Sequence, residues 1–116
     1  MLVRLRRLRL ADGRPMALET VHLREDLMQI DDLDPSGSIY EQLARAGHDV
    51  QKATQTIAAV NLPVEEAKLL DQAVGAAALR VVRVGLTERD VPVEWAETIY
   101  RGDRYDFDMV VAREAP

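Results

Sequence analysis

The sequence predicts an α+β domain built on a mostly antiparallel sheet, with its helices carried on one face. Three observations point there. Apolar and polar residues alternate in segments of roughly ten residues, the spacing of half-buried strands. Most of these segments come in pairs joined by short turn-forming stretches, which makes them hairpins. Two segments switch to helical spacing, and each is inserted between strands.

The first pair is Leu2 to Leu10 and "MALETVHL", joined by "ADGRP", whose Asp, Gly and Pro suit a tight turn. "REDLMQIDDLDPSG" is acidic and rich in turn formers, so it is expected to be a connection with one short helical turn. In "SIYEQLARAG" Ser38 and Glu41 have capping-box spacing, Ile39, Leu43 and Ala46 share a helical face, and Gly47 supplies a stop. A helix over residues 38–46 follows. "HDVQKATQTIAAV" is β-branched and alternating in its second half, a strand running to Val60. "LPVEEAKLLDQA" has a proline at its start, acids in its first turn and leucines behind them, a second helix. "ALRVVRVGL" and "VPVEWAETIY" form another hairpin through "TERD", and a last strand is expected from Tyr105 to about Val111. In "ETIYRGDRYDF", Arg101, Asp103 and Arg104 suit a salt-bridged bend at Gly102 that sets up Tyr105 and Phe107.

At 116 residues the chain suits one domain, spanning 1–116. Hydrophobic residues at 47% with 30% charged residues exclude disorder, and no apolar run is long enough for a membrane span. With no cysteine and no signal-type opening, the expected address is cytoplasmic. A net charge of −5 argues against strong nucleic-acid binding by this chain itself. Charge is uneven all the same, with Arg4, Arg6, Arg7 and Arg9 inside the first ten residues.

Strand alternation puts Arg7 and Arg9 on one side with Val3 and Leu5. At roughly 7 Å and an effective dielectric of about 20, their repulsion is on the order of 2 kcal/mol, which an anion between them would reverse. The plainer reading, solvated strand arginines or partners of nearby acids, has the edge from these residues alone. Glu19 shares a face with Ala17, Val21 and Leu23, an acid in an apolar row that needs partners. In the last hairpin Val93, Trp95 and Ile99 fall on one side and Glu94, Ala96, Thr98 and Tyr100 on the other. Small residues between an acid and a tyrosine suit the floor of a pocket, or simply the wet face of a sheet. Ser38 is a sufficient N-cap, and it also opens a helix whose first N–H groups attract anions.

Other chemistries are weakly signalled. His22 and His48 are isolated and lack ligand spacing, so neither a metal nor a cofactor is expected. No serine sits in a nucleophile elbow. Glu19 and Glu94 have the residue types of a glycosidase pair, whose defining separation only a structure supplies.

"RLRLADGRPMALET", "SIYEQL" and above all "VPVEWAETIYRGDRYDF" resemble the UTRA domain, the effector-binding module of GntR-type transcription regulators of the HutC subgroup. The likeness runs from about Arg4 to Phe107. It implies a chorismate lyase-like fold and a domain that senses a small-molecule effector, often a phosphorylated sugar, without catalysis. It also implies a homodimer, and DNA contact only through a winged helix-turn-helix domain that would precede Met1, together with an opening segment usual in the family. By resemblance Arg7 and Arg9 match phosphate-contacting arginines, Ser38 matches the hydroxyl that joins them, and Glu19, Tyr40, Glu94 and Tyr100 match positions lining the rest of the pocket. Two other readings stand beside it. One is a chorismate lyase-type enzyme using the same arginines for aromatic acids, and the other is a dimerisation module that binds no ligand.

Overall fold

The computed structural model of the chain describes residues 2–106, 108 and 110–113. Its strands are β1 (Leu2–Ala11), β2 (Arg14–Arg24), β3 (Lys52–Asn61), β4 (Ala77–Leu86) and β5 (Pro92–Arg101). Its helices are α1 (Ile39–Arg45) and α2 (Val64–Leu69), with a 3-10 turn at Ile30–Asp32 in the connection after β2. All strands join one sheet in the order β1-β2-β5-β4-β3, every neighbouring pair antiparallel.

The turns follow from local chemistry. Asp12 (φ 52°) and Gly13 (φ 74°) take the left-handed pair of conformations that lets a two-residue loop match the twist of β1 and β2. Ser38 caps α1 by accepting from the Glu41 N–H at 3.3 Å. At the other end Gly47 (φ 88°) allows the His48 N–H to reach the Leu43 carbonyl at 2.8 Å, satisfying the last turn.

The helices pack on opposite faces, which corrects the expectation of a single helical face. Ile39 and Leu43 of α1 pack with Val3, Val21, Leu23 and Ala96. Ala67 of α2, with the nearby Leu62 and Leu70, packs against Leu18, Ala78 and Ile99, whose positions in β2, β4 and β5 have the opposite parity. Adjacent residues of a strand point to opposite faces, so each face of β2 buries its own apolar set. Burial of each fully covered leucine contributes about 1.5–3 kcal/mol, and Leu23, Leu43, Leu62 and Leu70 are of that kind.

Two further expectations are corrected. Val93 does not side with Trp95 and Ile99; it packs with Val21 and Leu23, beside a register shift between Gly85 and Leu86 that breaks the alternation of β5. The last strand is not formed by Tyr105, Asp106, Asp108, Val110 or Val111, while Phe107 and Met109 lie outside the described residues. The bend after β5 turns the chain over the sheet, and the Tyr105 ring stacks on Tyr100 with centroids 4.0 Å apart. Arg101 holds that bend by donating to both carboxylate oxygens of Asp103, at 3.1 and 2.9 Å.

Candidate functional site

The α1 face of the sheet is only partly covered by its helix. Where α1 begins, the sheet, the helix and the loop before it enclose a cavity of about 450 Å³ lined by Arg7, Arg9, Glu19, Ser36, Gly37, Ser38, Ile39, Tyr40, Arg83 and Glu94. Register explains the gathering. Arg7 is paired with Glu19, Arg83 with Ala96, and Glu94 with Leu23, so their side chains rise from three adjacent rows of one face.

The loop is fixed from both sides. The buried Gln42 side chain donates to the Asp34 carbonyl (2.9 Å) and the Ser38 carbonyl (3.2 Å), and it accepts from the Asp34 N–H (2.7 Å). Arg7 donates to the carbonyls of Pro35 (3.3 Å) and Gly37 (3.2 Å). Gly37 has little room for a side chain, since a Cβ there would come 3.1 Å from the Gln42 amide nitrogen. Ser36, Gly37 and Ser38 are thereby presented to the cavity.

Of the two arginines read from β1, Arg7 is largely committed within the protein. Its Nε donates to Glu19 Oε1 at 2.8 Å and its Nη2 to the same oxygen. The anion between the two cations is Glu19 itself, as the plainer reading had it. Arg9 differs: its Nη2 stands 3.6 Å from Glu19 Oε2, beyond hydrogen-bond length, and its side chain is 55% exposed. Among the described residues Arg9 is thus only loosely engaged and leaves donors facing the cavity.

Glu94 is buried with its side chain only 2% exposed, and its Oε1 has no hydrogen-bond partner. Burial raises the pKa of its carboxyl from the ordinary 4.5; the nearby Arg83 charge and Tyr40 hydroxyl oppose this, and the charge of Glu19 adds a smaller upward push. Gly85 is paired with Glu94 across the ladder, and a Cβ there would press on the Val50 side chain at 3.1 Å. The Tyr40 hydroxyl is also buried without a partner, and its ring lies under the Arg83 guanidinium, 4.9 Å from centroid to Cζ.

Six of the seven residues read from the sequence, Arg7, Arg9, Glu19, Ser38, Tyr40 and Glu94, thus line one cavity. Tyr100 shares the face but is not among the lining residues, being stacked with Tyr105. Arg83 was missed. Its signal was the alternation of β4, which puts an arginine in the row of Ala96, next to that of Glu94. His22 lies against Trp95 with ring centroids 5.2 Å apart, and among the described residues no three acidic or histidine side chains assemble as a metal set.

A sequence profile described as the UTRA domain matches residues 1–106. This chain belongs to the UTRA domain family. Over 103 residues it is 32% identical to the HTH-type transcriptional repressor NagR of Bacillus subtilis (strain 168), covering 87% of this chain and 42% of that protein. The chain thus spans less than half of that relative. A GntR-family transcriptional regulator from Enterococcus faecalis V583 superposes with a TM-score of 0.86 at 32% identity, over 95% of this chain and 81% of that one. The effector domain of PhnF from Mycobacterium smegmatis superposes with a TM-score of 0.91 at 26% identity, over 97% and 70%. The UTRA assignment, the α+β sheet fold shared with GntR effector domains, and the link to transcription regulators expected from the sequence are borne out. None of the described helices is long and apolar enough to cross a membrane.

Proposed function

We propose that this domain is the non-catalytic effector sensor of a longer GntR-type regulator, and that the cavity beside α1 binds a small anionic metabolite such as a phosphorylated sugar. The charge balance of the cavity carries this reading. Its lining holds three guanidinium groups and two carboxylates, a net positive charge. Excess positive charge in a partly dry concavity favours an anion. Arg9 and the Ser38 hydroxyl supply donors for the anionic group, with Arg7 held behind them by Glu19. Each charge-assisted hydrogen bond of this kind contributes about 1.5–3 kcal/mol. The naming of relatives as a repressor and a regulator supports a role in transcription control, with DNA contacted through a domain outside this chain.

The regulator acts as a homodimer in this reading, and the two sheet edges differ in fitness for that task. The outer edge of β1 is guarded by Arg4, Arg6, Arg7 and Arg9. β3, hydrogen-bonded to β4 alone, has no charged residue between Lys52 and Asn61. A second copy pairs antiparallel along it, about a two-fold axis near Ile57, extending the sheet. An effector that favours one dimer arrangement about 100-fold shifts the equilibrium by roughly 2.7 kcal/mol.

Thermal shift against sugar phosphates, amino acids and aromatic acids tests the sensor role. A ligand at 100 times its dissociation constant stabilises by about 2.7 kcal/mol. A saturable rise with a phosphate ester is expected, whereas silence across all three classes, or turnover of chorismate, would count against the reading.

A further inference from the structure

Gln42 does not line the cavity, yet its side-chain amide is spent entirely on the loop that does. It is 6% exposed. Its oxygen accepts from the Asp34 N–H at 2.7 Å, and its nitrogen donates to the carbonyls of Asp34 and Ser38 at 2.9 and 3.2 Å. The first two bonds engage both main-chain groups of one residue, and the third closes Asp34 to Ser38 into a ring. Within that ring the Gly37 N–H donates to the Asp34 carbonyl at 3.2 Å, and the Asp34 carboxylate accepts from the Ser36 N–H at 3.0 Å and its hydroxyl at 2.7 Å.

A neutral amide fits this ring because it offers an acceptor and two donors at once. An apolar side chain would strand the Asp34 N–H, and a carboxylate would set its charge against two carbonyl oxygens with no proton to give. From the sheet side the loop is held only by the longer bonds of Arg7 to Pro35 and Gly37. The helix has a separate anchor, since Ile39 and Leu43 lie in the core. Residues 34–38 can therefore loosen while α1 and the sheet stay in place.

We propose that Gln42 is a positioning residue of the cavity: its neutral amide fixes residues 34–38 in the shape that presents Ser36, Gly37 and Ser38, and it sets affinity without touching the ligand. This rests on the anion-sensor reading above. A loop already ordered before binding spares the ligand the cost of ordering it.

Gln42→Glu tests the idea, because a protonated carboxyl restores one donor beside its acceptor while an ionised one does not. The carboxyl is ionised at about pH 8, and burial brings the proton back by about pH 5. Glucose 6-phosphate is titrated calorimetrically into parent and variant at both pH values, and the ratio of their affinities cancels the ionisation of the ester itself. The variant is expected to bind about tenfold or more weakly than the parent at the higher pH, and within about threefold of it at the lower. Equal affinities at the higher pH, or a deficit that pH does not change, overturn the proposal. If the parent does not bind the ester, the anion reading fails, and hydrogen exchange without ligand decides the positioning role. At the higher pH the Asp34 and Gly37 amides are expected to exchange about tenfold or more faster in the variant, with those of β2 and β5 unchanged. Unchanged exchange at Asp34 and Gly37, or faster exchange throughout the sheet, overturns it.

Discussion

Arg7 holds Glu19 through two nitrogens, with Nε 2.8 Å from Oε1, while its remaining donors secure the carbonyls of Pro35 and Gly37. One arginine thus ties β1, β2 and the loop before α1 into a single corner, and its role is chiefly architectural. Truncating Glu19 leaves a largely buried guanidinium short of its anion. Glu19→Ala is expected to lower stability by about 1–3 kcal/mol in urea unfolding, whereas Arg9→Ala, more than half exposed, changes it by under about 0.5 kcal/mol.

Burial raises the Glu94 carboxyl from its ordinary 4.5 in the folded state. The folded protein then holds that proton more tightly than the unfolded chain does. The Glu94 contribution to stability is full below about 4.5 and is lost as pH rises through the folded value. Asp26, Asp34 and Asp103, which hydrogen bonds lower, slope the other way, so the difference between two proteins is the proper readout. Glu94→Gln should gain stability relative to the parent as pH rises from 4.5 toward neutrality. Parallel stability profiles for the two proteins would contradict this.

Gly102 allows the bend to sit against β4. A Cβ there would lie 2.5 Å from the Ala77 carbonyl oxygen, a backbone atom that cannot swing aside, and the Gly102 N–H already donates to that oxygen at 3.0 Å. Gly102→Ala is expected to cost about 1–3 kcal/mol. It should also loosen the stacking of Tyr105 on Tyr100, seen as a change in tyrosine fluorescence.

How much of this could be read from sequence alone divides by range of interaction. Turns, caps and strand faces were legible because they depend on local chemistry: the Asp12-Gly13 turn, the Ser38 cap and the shared face of Arg7 and Arg9 formed as read. Layering was not, because which face α2 covers depends on how the connection between the neighbouring strands β3 and β4 folds back on the sheet, and Leu18 and Val21 advertise both faces of β2 equally. Val93 was misplaced because a register shift interrupts the period on which face assignment rests. The strand after Tyr105 failed for a tertiary reason: β5 already has β2 and β4 on its two sides, and Gly102 turns the chain onto the sheet. In the site, Tyr40 came from family resemblance and could not have come from periodicity. Arg83 escaped since one arginine in an alternating strand looks solvated until Glu94 is seen beside it.

β3 offers an oligomerisation test independent of the cavity. Ile57 lies mid-strand on the exposed edge, so Ile57→Lys sets two lysines against each other across the proposed two-fold axis. Sedimentation is expected to show a dimer for the parent and a monomer for the variant, both with the same far-ultraviolet spectrum. A variant that stays dimeric would place the interface elsewhere.

The most direct test of the sensor claim is calorimetric titration of glucose 6-phosphate into the parent domain and into Arg9→Ala. Saturable one-site binding is predicted for the parent, weakened about tenfold or more in Arg9→Ala, the equivalent of losing one charge-assisted contact. Equal affinity in the two proteins would contradict the claim that Arg9 in this cavity receives the anion.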